Sequence, residues 1–181
     1  MLNLNNIDIE KDGIDHIRVD SNASTFLGRS LSPNYNRIFY HLKYGAFCSI
    51  NSLLFYLKLK NRDDKIRELF GAQLKKYVVE QINSGKNEFI ENNSFNKTYL
   101  DSELIKEIIW IRLLSNPELL ELFVNNKLPY ICYFVGNNNK VNITEGHIGI
   151  ALNKIQKDIE FYRNNDSIKI TELLFKHKKV I

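Results

Sequence analysis

The chain is poor in the residues that staple or break structure. Its 181 residues hold two cysteines, three prolines and eight glycines. Cys48 and Cys132 sit among apolar or aromatic neighbours, and neither belongs to a CxxC pair. This spacing excludes a disulfide-stapled scaffold and a zinc ribbon, and predicts two buried, reduced thiols. The four histidines (His16, His41, His147 and His177) lack ligand spacing, so no metal is expected. No apolar run approaches the ~20 residues that span a bilayer, so no membrane partner is expected. The first residues, Met1 to Asn6, lack a basic region followed by an apolar stretch. The expected location is therefore cytoplasmic, the host cytoplasm if the protein is viral. GxxxxGK[ST], GxGxxG, HExxH and GxSxG are all missing. With them go the phosphate-loop, dinucleotide, zinc-protease and serine-hydrolase readings, and no cofactor is expected.

What is present is ordinary for a globular chain: 44% hydrophobic, 25% charged, net charge +4. The length predicts one domain with a real core. The densest basic cluster, Lys176, His177, Lys178 and Lys179, sits at the C-terminus without a nucleic-acid motif and reads as a solvated tail.

Residues 14–19 alternate apolar and polar around His16 and Arg18, as a half-buried strand does. Residues 21–34 are rich in small polar side chains, with Gly28 and Pro33 as breakers, and read as a loop. Small hydroxyls, Arg29 and a glycine in one loop suit a phosphate, with Arg29 forking onto its oxygens; a plain surface loop fits equally. Asp63 or Asp64 should cap a helix carrying Ile66, Leu69, Phe70, Leu74, Tyr77 and Val78, closed near Gly85. A polar excursion is expected over 85–96. Asp101 or Ser102 should cap a helix anchored by Trp110, and Asn116-Pro117 should start a shorter one. Residues 128–135 form one apolar strand-length run, turned at Gly136 and returning over 140–143. Helices are expected from about Glu145 to Tyr162 and from Thr171. The sum is a mostly helical α+β single domain with a small antiparallel sheet.

The most informative stretch is 47–58. Ser49 suits an N-cap, and Asn51, Leu54, Phe55 and Lys58 share one helix face. An amide and an ammonium bracketing an aromatic suit a pocket for a polar, ring-containing ligand. An amphipathic core helix with two polar edge residues has the same spacing. The carboxylate pairs Asp63–Asp64 and Asp101–Glu103 fall where caps are expected. The apolar setting of Cys132 argues against a nucleophile.

The ordered segments 23–32, 44–47, the helix to Leu59, 71–75 and 128–135 resemble the NADAR/YbiA-like superfamily. They are similar in particular to a branch of T-even-type phage proteins placed near it. Members of that superfamily are N-glycosidases acting on riboflavin-pathway intermediates or ADP-ribosyl conjugates. The resemblance puts Arg29 on the loop arginine, Lys58 on the helix lysine and Asn51 where the helix glutamate should be. Cys132 replaces a common histidine, and His147 stands about where relatives place a tryptophan. An amide cannot take the proton that N-glycoside cleavage requires, and losing a general base typically costs ~10²–10⁴-fold in rate.

Three readings follow. In the first, the chain binds ADP-ribose-like or other NAD-derived nucleotides without turnover, through Arg29, Tyr44, Asn51, Phe55, Lys58 and Lys75, and in a phage sequesters an immune signal. In the second, it is an active N-glycosidase with its acid at Glu145 or Asp101, and nucleic acid enters only as an ADP-ribosylated substrate. In the third, it is a protein–protein adaptor that keeps only the fold.

Overall fold

A computed structural model describes residues 7–90, 102–135, 141–143 and 147–165. In chain order the elements are β1 (Ile17–Arg18), α1 (Phe26–Leu31), β2 (Phe39–His41), β3 (Gly45–Phe47), α2 (Ile50–Lys58), α3 (Gly71–Asn83), α4 (Ser102–Leu114), α5 (Pro117–Asn125), β4 (Tyr130–Ile131), β5 (Tyr133–Val135), β6 (Val141–Ile143) and α6 (His147–Asn165). Short 3₁₀ helices occupy Ile9–Lys11 and Asp64–Glu68. The class is mixed α+β with helix dominant.

The core forms around α4. That helix is apolar on nearly every face, so burial on all sides is its stable solution. Ile105, Ile108, Ile109, Trp110, Ile111 and Leu113 are all buried. Helix α6 lies along it, presenting Ile148, Ala151, Leu152, Ile155 and Ile159 at three- and four-residue spacing. Lys106 pairs with Asp158 at 2.7 Å on the margin of this contact. Helix α5 starts as its sequence predicts: Asn116 accepts from the Leu119 N–H at 3.2 Å, and Pro117 fills the first turn. No helix among the described residues is long and apolar enough to cross a membrane.

Among the described residues the strands form three two-stranded pairs in place of one small antiparallel sheet. β1 runs parallel to β4, β2 pairs antiparallel with β3, and β5 pairs antiparallel with β6. The apolar run over 128–135 is therefore not one strand. It breaks at Cys132, giving its first half to β1 and its second to β6. The outer edge of β4 is closed by a side chain: Asn153 of α6 accepts from the Tyr130 N–H at 2.9 Å and donates to the Tyr130 carbonyl at 2.7 Å. A carboxamide thus satisfies backbone groups that a further strand would otherwise take.

Residues 16–19 are buried throughout, so the expected half-exposed alternation around β1 fails. His16 is accommodated because both ring nitrogens find partners, Asp15 Oδ1 at 2.5 Å and the Tyr133 hydroxyl at 3.0 Å. Arg18 pairs with Asp20 at 3.0 Å and lies 4.9 Å over the Tyr133 ring. The His16 ring is thus fully satisfied inside the core, while Asp15 and Asp20 carry the network to the solvent and Arg18 Nε finds no partner among the described residues.

Three further expectations are corrected. The segment read as a loop over 21–34 contains α1, because Thr25 caps it by accepting the Gly28 N–H at 3.0 Å. Gly28 acts as a contact residue, not a breaker: its missing side chain lets α1 touch β1. The helix expected from Asp63 is two pieces. Asp63 caps the 3₁₀ turn, Leu69 and Phe70 run extended, and α3 begins only at Gly71. The excursion over 85–96 begins as an organised edge, with Glu88 and Ile90 bonding back to Lys60 and Lys58. Its remainder, the turn after Gly136, the helix from Thr171 and the basic tail lie outside the described residues.

Candidate functional site

Helix α2 forms as its residues dictate. The Ser49 hydroxyl accepts the Ser52 N–H at 3.0 Å, and the Ser52 hydroxyl accepts the Ser49 N–H at 3.0 Å, a reciprocal cap. Ile50, Leu53, Tyr56 and Leu57 are buried, while Asn51, Leu54, Phe55 and Lys58 share the half-buried face that their spacing implies.

The turn over residues 32–37 joins this helix to the core. The Ser32 carbonyl accepts from the Tyr35 N–H at 3.1 Å and from Arg112 Nη1 of α4 at 3.0 Å. The Pro33 carbonyl accepts the Asn51 N–H at 3.0 Å, and Asn34 Oδ1 accepts from Asn51 Nδ2 at 2.7 Å. The Arg37 N–H donates to the Cys48 carbonyl at 2.7 Å. Between this turn and the start of α3 lies an open cleft of about 540 Å³. Asn34, Tyr35 and Asn36 form one wall; Phe70, Gly71, Ala72 and Lys75 form the other. None of the described lining residues is a carboxylate.

The α3 end of the cleft is unusual within this chain. Phe70 makes no side-chain cap and Gly71 holds φ +54°, whereas Thr25, Ser49 and Asn116 each cap their helices. No side chain caps the first N–H groups of α3, and the positive end of its dipole borders the cleft. A second hollow of about 450 Å³ shares Asn36 and Phe70 with the first and runs past Phe47 and Cys48 to Arg67. The Arg67 guanidinium is fully committed. It donates to Asp64 at 2.6 Å, to the Tyr56 hydroxyl at 2.8 Å and to the Tyr44 carbonyl, and stacks 4.5 Å over Phe47.

The structure gathers only part of the set chosen from sequence. Lys75 lines the cleft, and Asn51 reaches its wall through Asn34. Arg29 does not line it: its Nη1 donates to the Ala23 and Ser24 carbonyls at 2.8 and 2.7 Å, so it holds its own loop together. Lys58 sits at the opposite end of α2, half-buried, its pKa lowered by that burial. Phe55 packs against the core edge. Tyr44 lies in the β2–β3 turn with its ring 4.7 Å from that of His41. Asp101 and Glu145 are outside the described residues, and His147 is the first residue of α6. Burial pushes the Cys132 thiol up to about 11, so little of the nucleophilic thiolate forms at neutral pH. Among the described residues no group of three or more His, Cys, Asp or Glu side chains is placed to hold a metal.

Tyr35, Asn34, Phe70 and Arg112 were not selected from sequence. Only Arg112 carried a legible signal, as a lone cation within the apolar run of α4. Comparisons with protein families, curated proteins and solved structures return no match.

Proposed function

We propose that this protein is a NADAR/YbiA-like domain that binds ADP-ribose-like or other NAD-derived nucleotides without hydrolysing them. The observation that carries the reading is a nucleotide-sized cleft whose described lining offers aromatic, amide and cationic groups and no carboxylate. Tyr35 and Phe70 offer rings for a base to stack on. The bonded Asn34–Asn51 amides suit ribose hydroxyls, which both donate and accept. Lys75 and the bare start of α3 make the potential of the cleft positive, which favours an anionic ligand. Asn51 stands where the superfamily resemblance expects an acid, and an amide there leaves affinity intact while removing the proton acceptor. A phage protein of this kind would sequester an NAD-derived immune signal.

The test is calorimetry against NAD, ADP-ribose and cyclic ADP-ribose isomers, with chromatography of the same mixtures. Saturable binding without release of a base is expected. Silence across the panel from folded protein contradicts the proposal, and base release would assign the site to N-glycosidase chemistry instead.

A further inference from the structure

Arg112 is 2% exposed and makes one hydrogen bond, Nη1 to the Ser32 carbonyl. Its Nε and Nη2 find no partner among the described residues. Those two N–H groups lie on the same edge of the guanidinium, the edge that grips carboxylate or phosphate with two parallel bonds. The ion pairs of the described residues involve His16, Arg18, His41, Lys60, Arg67, Lys76 and Lys106, and neither Arg112 nor Arg37 takes part. Burial, reinforced by repulsion from Arg37, brings the Arg112 pKa down to about 10, which still leaves it charged at neutral pH. A buried cation without a counter-ion is strongly unfavourable, and a second cation within electrostatic reach makes it more so. A bound anion would remove both penalties. Tyr35 connects Arg112 to the cleft: its ring lies 5.7 Å from the Arg112 Cζ and also lines the cleft wall.

We propose that Arg112 is the anion-holding group of this cleft, reached past the Tyr35 ring, that it takes the phosphate or diphosphate of its ligand, and that Arg37 of the adjoining turn adds its charge to the same anion. This deepens the nucleotide reading and rests on the same cleft. It also moves the phosphate-gripping role from Arg29, which is only half-buried and holds its own loop, to an arginine buried behind the Tyr35 wall of the cleft.

The probe is sodium diphosphate alone, followed by melting temperature and calorimetry against sodium chloride at matched ionic strength. Adenosine and ADP-ribose are run as parallel arms. The variants are Arg37→Gln, at a half-buried position, and Arg112→Met, which keeps the length and apolar stem without the charge. Wild type should be stabilised by diphosphate beyond the chloride control. Arg37→Gln should weaken diphosphate binding about tenfold, the size of one lost charge contact, and Arg112→Met should abolish it. Should Arg112→Met fail to fold, Arg37→Gln alone decides. The proposal is overturned if diphosphate does no more than chloride, or if its effect is unchanged in Arg37→Gln. Diphosphate bound through these arginines without any nucleotide binding keeps the anion site and removes the nucleotide reading. ADP-ribose binding indifferent to both variants does the reverse.

Discussion

Gly28→Ala should unfold this protein more readily than its place in a helix suggests. In an exposed helix the change would stabilise by ~1 kcal/mol through propensity. Here a Cβ on Gly28 would stand 2.1 Å from the Arg18 carbonyl oxygen, 2.8 Å from Thr25 Oγ1 and 2.9 Å from Ala23 Cβ. An ordinary C···O contact is about 3.3–3.6 Å, so α1 and β1 must separate by more than about 1 Å. Strand β1 has little freedom to yield, since the Ile17 and Val19 N–H groups donate to the Pro129 and Ile131 carbonyls at 2.8 and 2.9 Å. Overpacking against a fixed backbone costs about 3 kcal/mol or more. After the propensity gain, a net loss of at least about 2 kcal/mol remains. With a urea slope of about 2 kcal/mol/M, the unfolding midpoint should fall by roughly 1 M. Gly149→Ala is the control, because its Cβ would meet the Cys132 sulfur at 3.3 Å, a side-chain neighbour that can shift. A Gly28→Ala midpoint equal to or above wild type would refute the close helix–strand approach on which α1 and the following turn depend.

The remaining predictions concern the site and its surroundings. Asn51→Asp should change stability by no more than about 1 kcal/mol, since the Asn34 amide can turn to donate. It should weaken ADP-ribose affinity about tenfold through like-charge repulsion, and unchanged affinity by calorimetry would place Asn51 away from the ligand. His41 is buried, and burial lowers its pKa below 6.5 against the opposing pull of Glu107. Between those values the unfolded chain binds more protons, so stability should fall as pH drops below about 6.5, by at most about 1.4 kcal/mol per pH unit. His41→Gln should flatten that limb of the urea-midpoint profile, and an unchanged slope would clear His41 of the effect. Cys132 at about 11, against 9.0 for an unperturbed thiol, should carry about 100-fold less thiolate at pH 8. Alkylation followed by mass spectrometry should therefore find it slow in native protein and fast in urea, and equal rates would show it accessible.

Periodic elements were legible where one force dominated. α2 and α5 announced themselves through their caps, and Trp110 could be placed in the core because α4 is apolar on nearly every face. Elements decided by tertiary contact were not. Gly28 looks like a breaker until β1 is packed against it, and β4 cannot be separated from β5 without knowing that Asn153 closes its edge. The site divided in the same way. Asn51 was found because helix spacing aims it, and Lys75 only because it closes the 71–75 segment of the resemblance. Arg29 lies away from the cleft, and a local pattern does not reveal that its Nη1 bonds to nearby carbonyls. Tyr35 and Phe70 sit in irregular segments where no period marks a face, and they meet only when α3 starts late, at Gly71.

The central claim is that the cleft between the 32–37 turn and the start of α3 holds a nucleotide. An amide-resolved NMR titration with ADP-ribose tests it most directly. Saturable shifts confined to residues 34–37, Asn51, Arg112 and the first turn of α3 are predicted. Shifts that map elsewhere, or a spectrum unchanged at millimolar ligand, would contradict it.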